Sequence, residues 1–227
     1  MNICSYIDHT ILKPATLHAD ILRLCEEAAN YHFAAVCVPP PFVKEAKRLT
    51  EQSNVKVATV IGFPFGYSAI ESKIAEIVLA TVDGADELDM VINITALKNR
   101  DWQYLANEIN AIRPFVENKN KVLKVIIESG ILTEDEIVRC CSFYAAAGAD
   151  YIKTSTGYAE KGATVEAVAL MKRNLPDSVK IKAAGGIKTY EFAMQLIEAG
   201  ASRLGCSASL DIVKGQTSEE EDLGIAY

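Results

Sequence analysis

Lys153 stands where the run Tyr151-Ile-Lys-Thr-Ser-Thr-Gly157 passes from aromatic and β-branched residues into Ser, Thr and Gly. That composition reads as the end of a buried parallel strand opening into a loop. A lysine set above Tyr151 and Ile152 loses part of its hydration, and desolvation lowers the pKa of an ammonium group. The neutral amine can attack a carbonyl and form a Schiff base, which makes Lys153 a candidate nucleophile. Taken alone, the plainer reading is a surface lysine at a strand end. The rest of the chain reverses that preference.

A second lysine, Lys182, occupies the corresponding place in Ile181-Lys-Ala-Ala-Gly-Gly-Ile187. Adjacent strands lie about 4.8 Å apart, so two inward lysines on neighbouring strands disfavour each other's protonation. Lys180 shares the parity of Lys182 and must lie lower, or before the strand begins; a surface position for Lys182 is the alternative. Asp89 falls in Glu87-Leu-Asp-Met-Val-Ile92, with Leu88 and Met90 on the opposite face. An inward carboxylate is costly without a cation, which the two lysines would supply. Asp89 could then move protons at a reacting centre, or serve only as a salt bridge inside the fold. Asp8 and Glu128, at the ends of earlier strand candidates, admit the same two readings.

Two glycine-bearing loops point to an anion. Gly185 and Gly186 follow one strand candidate, and Gly205-Cys-Ser-Ala-Ser209 follows the next, just before a possible helix at Leu210. Glycine lets backbone N–H groups approach an anion, a helix N-terminus adds a favourable dipole, and Ser207 adds a hydroxyl donor. Cys37 closes another strand candidate and admits a place facing the pocket as well as the plainer reading of a buried thiol. His9, His18 and His32 share no metal-ligand spacing, and Trp102 reads as helix-face packing.

These side chains need a scaffold, and strand and helix patterns alternate along the whole chain. Strand candidates are Tyr6–Thr10, Ala34–Val38, Val55–Ile61, Glu87–Ile92, Val122–Ile127, the Tyr151 run, Val179–Ala184 and Arg203–Cys206. Between them lie apolar faces at helical spacing, such as Ile21, Leu24, Cys25 and Ala28, and Ile70, Ile74, Ile77 and Val78. Thr16, Asp101, Thr164 and Thr189 are expected caps, and Ser68/Glu71 and Thr133/Glu136 have capping-box spacing. Phe42–Leu49 reads as a further helix. Pro114 is expected to end or kink the helix that Asp101 opens. Gly84-Ala-Asp, Gly148-Ala-Asp and Gly200-Ala-Ser recur at helix-to-strand junctions, two strand–helix units apart. Eight such units with no linker predict a single (β/α)8 TIM barrel over residues 1–227, with a short acidic tail from about residue 216. An open doubly wound sheet is the alternative. In a barrel, function belongs at the C-terminal ends of the strands, where Lys153 and Lys182 fall, and the loops after strands seven and eight frequently hold phosphate.

Composition narrows the function class. Half of the 227 residues are hydrophobic, enough for a large core, and the formal charge of −7 argues against nucleic acid as the main partner. No apolar run is long enough to cross a membrane, and the N-terminal residues do not read as a signal peptide. Six cysteines without metal spacing or a disulfide framework suit reduced thiols in a cytoplasmic protein.

The ordered stretches Ile7-Asp-His-Thr-Ile-Leu-Lys-Pro14, Val57-Ala-Thr-Val-Ile-Gly-Phe-Pro64, Glu87-Leu-Asp-Met-Val-Ile-Asn93, Lys153-Thr-Ser-Thr-Gly157, Lys182-Ala-Ala-Gly-Gly-Ile187 and Leu204-Gly-Cys-Ser207 resemble the deoxyribose-phosphate aldolase family. The resemblance implies a cofactor-free class I aldolase of deoxyribonucleoside catabolism. Its reaction is the reversible cleavage of 2-deoxy-D-ribose 5-phosphate to D-glyceraldehyde 3-phosphate and acetaldehyde. It also implies Lys153 as the Schiff-base lysine, Lys182 as the group that perturbs it, and Asp89 as proton donor and acceptor. Thr156, Gly157, Gly185, Gly186, Gly205 and Ser207 would surround the substrate and its phosphate, with Asp8 and Cys37 at the site's margin and no metal. Where some members carry a second serine after Ser207, this chain has Ala208. A C-terminal tyrosine that folds over the site in relatives has a counterpart in Tyr227, and homodimers are common in the family. Another Schiff-base aldolase, a sugar-phosphate isomerase barrel with a carboxylate base, and a non-catalytic sugar-phosphate binding protein are the competing readings.

Overall fold

In the computed structural model, which describes residues 2–222, eight parallel strands close into one barrel in the order β1 to β8. They are β1 (Ile7–Thr10), β2 (Ala35–Val38), β3 (Lys56–Ile61), β4 (Glu87–Val91), β5 (Val122–Ile126), β6 (Tyr151–Lys153), β7 (Lys180–Ala184) and β8 (Arg203–Cys206). The helices are α1 (His18–Tyr31), α2 (Val43–Leu49), α3 (Ile70–Val82), α4 (Ile94–Lys98), α5 (Trp102–Glu117), α6 (Glu134–Ala146), α7 (Val165–Asn174), α8 (Tyr190–Glu198) and α9 (Ser209–Asp222). Closure is made by β1 on β8, with Asp8 opposite Gly205. The doubly wound alternative is excluded by that pairing. Tyr227 lies outside the described residues.

Strand parity divides the interior into two unlike cores. Outward-facing Val36, Val57, Leu88, Met90, Val125, Ile152, Ile181 and Leu204 pack against the helices and form the main apolar cluster. Removing that surface from water is the chief favourable term of the fold. The inward face is different. A small apolar group of Cys37, Ala58 and Val60 fills the β2–β3 side. Six other positions on that face carry charge: Asp8, Glu87, Asp89, Lys124, Lys153 and Lys182 are all buried. Such charges are tolerable only when paired, so the apolar outer shell must support a costly centre.

The recurring glycine motif has a double use. Gly84, Gly148 and Gly200 have φ of +103°, +81° and +119°, and a Cβ at each would run into Lys47, Arg113 or Lys172. In the first two copies the following aspartate accepts a backbone N–H of the preceding strand: Asp86 from Val57 at 3.0 Å and Asp150 from Leu123 at 2.8 Å.

Local signals held where the cap was chemically complete. Asp101, Thr133, Thr164 and Thr189 all cap as expected, and Thr133 and Glu136 close a reciprocal box. Thr16 does not cap: its hydroxyl turns back to the Lys13 carbonyl, and Leu17 N–H is met by Asp20. Ser68 does not cap either, since α3 starts one residue later with Ala69 ahead of it. Pro114 sits inside α5, which continues to Glu117. Helix α3 turns Lys73, Ile77 and Ala80 inward and leaves Val78 exposed. Lys73 is buried because it meets Glu108 of α5 and the Val91 carbonyl, both at 2.7 Å. The acidic run from Ser218 to Asp222 is helical, as the end of α9.

Candidate active site

The strand β6 ends at Lys153 because Thr154 turns away and binds the neighbouring strand. Its N–H donates to the Lys182 carbonyl at 3.0 Å, and its hydroxyl accepts from Ala184 N–H at 3.1 Å. Lys153 and Lys182 are directly opposite one another across the β6–β7 ladder. Both donate to the same oxygen, Asp89 Oδ2, at 2.8 and 2.7 Å. The other oxygen, Asp89 Oδ1, accepts from Lys124 at 2.8 Å. Lys124 also meets Glu87, and Lys182 donates to Asp8. Arg203 closes the network from below, at 2.6 Å from Asp8 and 3.3 Å from Glu87.

Counting signs decides which lysine is reactive. Lys124, Lys153, Lys182 and Arg203 face Asp8, Glu87 and Asp89, so the fully ionised network has one cation in excess. In a region of low polarity the weakest-held proton is the one to leave. Burial lowers the pKa of Lys153; Asp89 opposes that, and the neighbouring Lys182 adds to the depression. Burial acts the same way on Lys182, but Asp8 and Asp89 outweigh it and hold that lysine charged, well above the usual lysine value. Lys124 is likewise raised, burial being overcome chiefly by Asp89. Burial would raise Asp89, but Lys124, Lys153 and Lys182 together hold its carboxyl well below the usual range. Lys153 is therefore the one of the three lysines whose ammonium form the network disfavours, and Asp89 is held as a carboxylate.

Above this network opens a cavity of about 700 Å³, at whose floor Lys153 is exposed by only 2%. Its walls include Thr156, Gly157, Gly185, Gly186, Gly205 and Ser207. Gly186 needs its glycine for conformation, with φ of +80° and open space where a Cβ would stand. At Gly205 a Cβ would lie 3.1 Å from Lys182 Cε, so the missing side chain leaves room for that lysine's stem. Gly162 lies so close to Gly185 that a Cβ would come within 2.2 Å of its carbonyl, which brings the β6–α7 loop onto the β7 loop. Across the mouth, the Tyr158 hydroxyl donates to the Leu12 carbonyl at 2.8 Å and its ring meets the edge of Phe63.

A family model described as DeoC/LacD family aldolase matches residues 3–219. The chain belongs to that family. It is 50% identical over 219 residues to the deoxyribose-phosphate aldolase of Thermococcus kodakarensis, covering 96% of this chain and 98% of the relative. The corresponding protein of Macrococcus caseolyticus is 47% identical over 220 residues, covering 96% and 99%. Among solved structures, an aldolase called QR15 superposes with a TM-score of 0.92 at 37% identity, covering 98% and 99% of the two chains. The deoxyribose phosphate aldolase of Aeropyrum pernix, described as tetrameric, gives 0.89 at 29% identity, covering 96% and 92%.

In this DeoC/LacD aldolase the residues singled out by sequence fall into three groups. Lys153 and the glycine and serine positions line the cavity, whereas Lys182, Asp89 and Asp8 lie fully buried beneath it. Cys37 is buried on the inner wall with Ala58 and Val60 and does not line the cavity. Thr156 lines the cavity, but its N–H and hydroxyl both donate to Glu128, and its oxygen accepts from Tyr158 N–H. It anchors the loop after Lys153 and offers no free donor to a phosphate. Burial pushes the Glu128 carboxyl up, against the pull of those Thr156 donors.

Sequence reasoning missed Lys124 and Arg203, and gave Glu87 no role. A lysine inside the apolar run Val122–Ile127 was itself a signal, because a central strand has no solvent to offer it. Among the described residues, no group of three His, Cys, Asp or Glu side chains is arranged to hold a metal, and no helix is long and apolar enough to cross a membrane.

Proposed function

We propose that this chain is a deoxyribose-phosphate aldolase that cleaves 2-deoxy-D-ribose 5-phosphate to D-glyceraldehyde 3-phosphate and acetaldehyde, and runs the reverse condensation. The observation that carries this reading is the pair Lys153 and Lys182 sharing one oxygen of Asp89 beneath a glycine-lined cavity. The neutral Lys153 amine adds to the C1 aldehyde of the open-chain sugar, and loss of water gives an iminium. The C3 hydroxyl loses its proton, the C2–C3 bond breaks, and its electron pair moves into the iminium to give an enamine. Glyceraldehyde 3-phosphate leaves. Protonation of the enamine at C2 and hydrolysis then release acetaldehyde and restore the amine. Asp89, held as a carboxylate beneath the cavity, carries the proton in both directions through water, and the charged Lys182 disfavours reprotonation of Lys153.

We assign the phosphate to the Gly186 loop and the Gly205–Ser207 turn, a reading supported by the glycines and Ser207 lining the cavity and by the start of α9. An isomerase barrel would have no use for a lysine amine at the cavity floor with a second lysine directly opposite it. We further infer one catalytic domain over residues 1–227, in a cytoplasmic enzyme; six free, buried thiols support a reducing compartment. A homodimer is the assembly inferred, with exposed Leu79 and Val82 of α3 as a candidate contact face, which light scattering would check.

Borohydride reduction in the presence of acetaldehyde tests the chemistry. It should inactivate the enzyme and add mass to the peptide containing Lys153. Labelling confined to other lysines, or undiminished in Lys153→Ala, would sink the covalent mechanism.

A further inference from the structure

His9, for which the sequence offered no metal-ligand spacing, is the centre of a buried hydrogen-bonded chain that reaches the cavity beside the β8–α9 turn. Its Nε2 lies 2.7 Å from Glu27 Oε2 on α1, and its Nδ1 lies 2.9 Å from the hydroxyl of Ser209, the first residue of α9. Ser209 in turn reaches the Cys206 carbonyl at 3.1 Å, across the Cys206-Ser-Ala-Ser209 turn. His9 is 4% exposed, Ser209 is fully buried, and the His9 ring packs edge-on against Phe33. The chain thus ties three separate elements together: α1, β1 and the β8–α9 turn.

A carboxylate can only accept, so Glu27 requires a proton on Nε2. In the neutral ring that leaves Nδ1 as an acceptor for the single Ser209 proton, which the Cys206 carbonyl also attracts. Glu27 therefore selects the tautomer, and His9 then fixes the hydroxyl whose backbone begins the helix. Burial, which lowers the His9 pKa against the opposing pull of Glu27, favours this neutral form. Ser207 and Ala208, the two residues inside the turn, line the same cavity as His9.

We propose that His9 is a positioning residue for phosphate binding, acting through Ser209 on the turn that presents Ser207 to the sugar phosphate. This rests on the assignment of that turn to phosphate in the proposed function. His9 does not touch the reacting carbons; it sets the shape of the anion site.

The test uses Ser209→Ala, which removes one buried hydroxyl, and Glu27→Leu, which acts from a partly exposed position on another helix. KM for deoxyribose 5-phosphate and the inhibition constant for inorganic phosphate should both rise about tenfold in Ser209→Ala, with kcat within about twofold, as befits a hydrogen bond that shapes binding and not the chemical step. Glu27→Leu should move the same two constants in the same direction, and Ser209→Thr, which keeps the hydroxyl, should restore them. Turnover of unphosphorylated deoxyribose should fall far less. Unchanged KM and phosphate inhibition in both variants, or an equal loss on both sugars, would overturn the proposal. If the wild-type enzyme neither prefers the phosphorylated sugar nor responds to phosphate, the phosphate assignment and the role of His9 fall together. Acetaldehyde trapping of Lys153 needs no phosphate and decides the covalent reading separately.

Discussion

Replacing Lys182 with leucine removes one charge from a network that has one cation too many. Lys153 and Lys182 bind the same Asp89 oxygen at 2.8 and 2.7 Å, which sets their nitrogens about 4–5 Å apart. At ~4.5 Å and an effective dielectric constant of about 20, two unit charges repel by about 3.7 kcal/mol, or between two and three pKa units. Asp8 and Asp89 both lose a partner in the variant, so they too favour a charged Lys153. Working against this, the smaller side chain admits some water, and an upward shift of about two units is the expected net effect. The reactive form is the neutral amine. As its pKa rises, the acidic limb of kcat/KM must therefore move to higher pH by the same amount, with activity about a hundredfold down below the limb and recovering above it. Lys182→Arg keeps the charge, though its bulk is crowded by the close approach of Gly205 to the lysine stem. Arginine should thus hold the limb in place while lowering the maximal rate. The assay is kcat/KM for deoxyribose 5-phosphate across pH, with circular dichroism to verify that each variant is folded. A limb that stays put in Lys182→Leu, with both variants slowed alike, would refute the charge argument and make Lys182 a proton-transfer or packing group.

Lys124→Met should cost about 3–5 kcal/mol in urea unfolding, because Asp89 and Glu87 are left as buried carboxylates without that partner. It should also raise the acidic limb, as the excess positive charge is gone. Ser207→Asp places a carboxylate against the phosphate and should raise KM for the phosphorylated sugar steeply, with a much smaller change for deoxyribose; equal losses would remove the assignment. Asp86 is pushed up by burial but held lower overall by Lys47 and the Val57 N–H. A depressed carboxylate contributes stability above its unfolded pKa, about 3.9, and loses it as pH falls through the folded value. The Tm gap between wild type and Asp86→Asn should therefore be full near neutrality and narrow below about pH 4; a gap independent of pH would show that the ionised form is irrelevant.

Much of the barrel was legible because strand and helix leave different periods in the chain, and because complete caps such as Thr133 with Glu136 leave little choice of starting point. Lys153, Lys182 and Asp89 were legible because each is a charged residue set in or after an apolar run; Lys153 ends its strand as expected, whereas Lys182 and Asp89 are central in β7 and β4. What stayed hidden depends on register. Nothing local says that Asp89 lies opposite Lys124, or that Glu108 waits for Lys73 from another helix. Without that partner Lys73 reads as a solvent-facing residue, and the inward face of α3 is drawn on the Val78 side of Ile77 instead of the side of Lys73 and Ala80. Thr16 and Ser68 failed as caps because the helices begin beyond the residues they could serve. Thr156 had the right address and a different task, since its donors are taken by Glu128.

The charged centre also has a history within each molecule. Asp8 comes from the first strand, while its partners Lys182 and Arg203 come from the last two, 174 and 195 residues further on. A nascent chain emerging from the ribosome carries Asp8 almost from the outset, yet cannot neutralise it until β7 and β8 have been made. Asp89 has Lys124 within reach 35 residues on, but must wait for Lys153 and Lys182. Contacts of such long sequence separation form late, since the loop entropy they close is large. A truncated or half-assembled barrel thus holds an unbalanced set of ions with every reason to stay wet, and its Lys153 remains an ordinary ammonium. The perturbed amine is thus a property of the assembled barrel, since the burial around Lys153 and the Lys182 charge opposite it both need β7 in place.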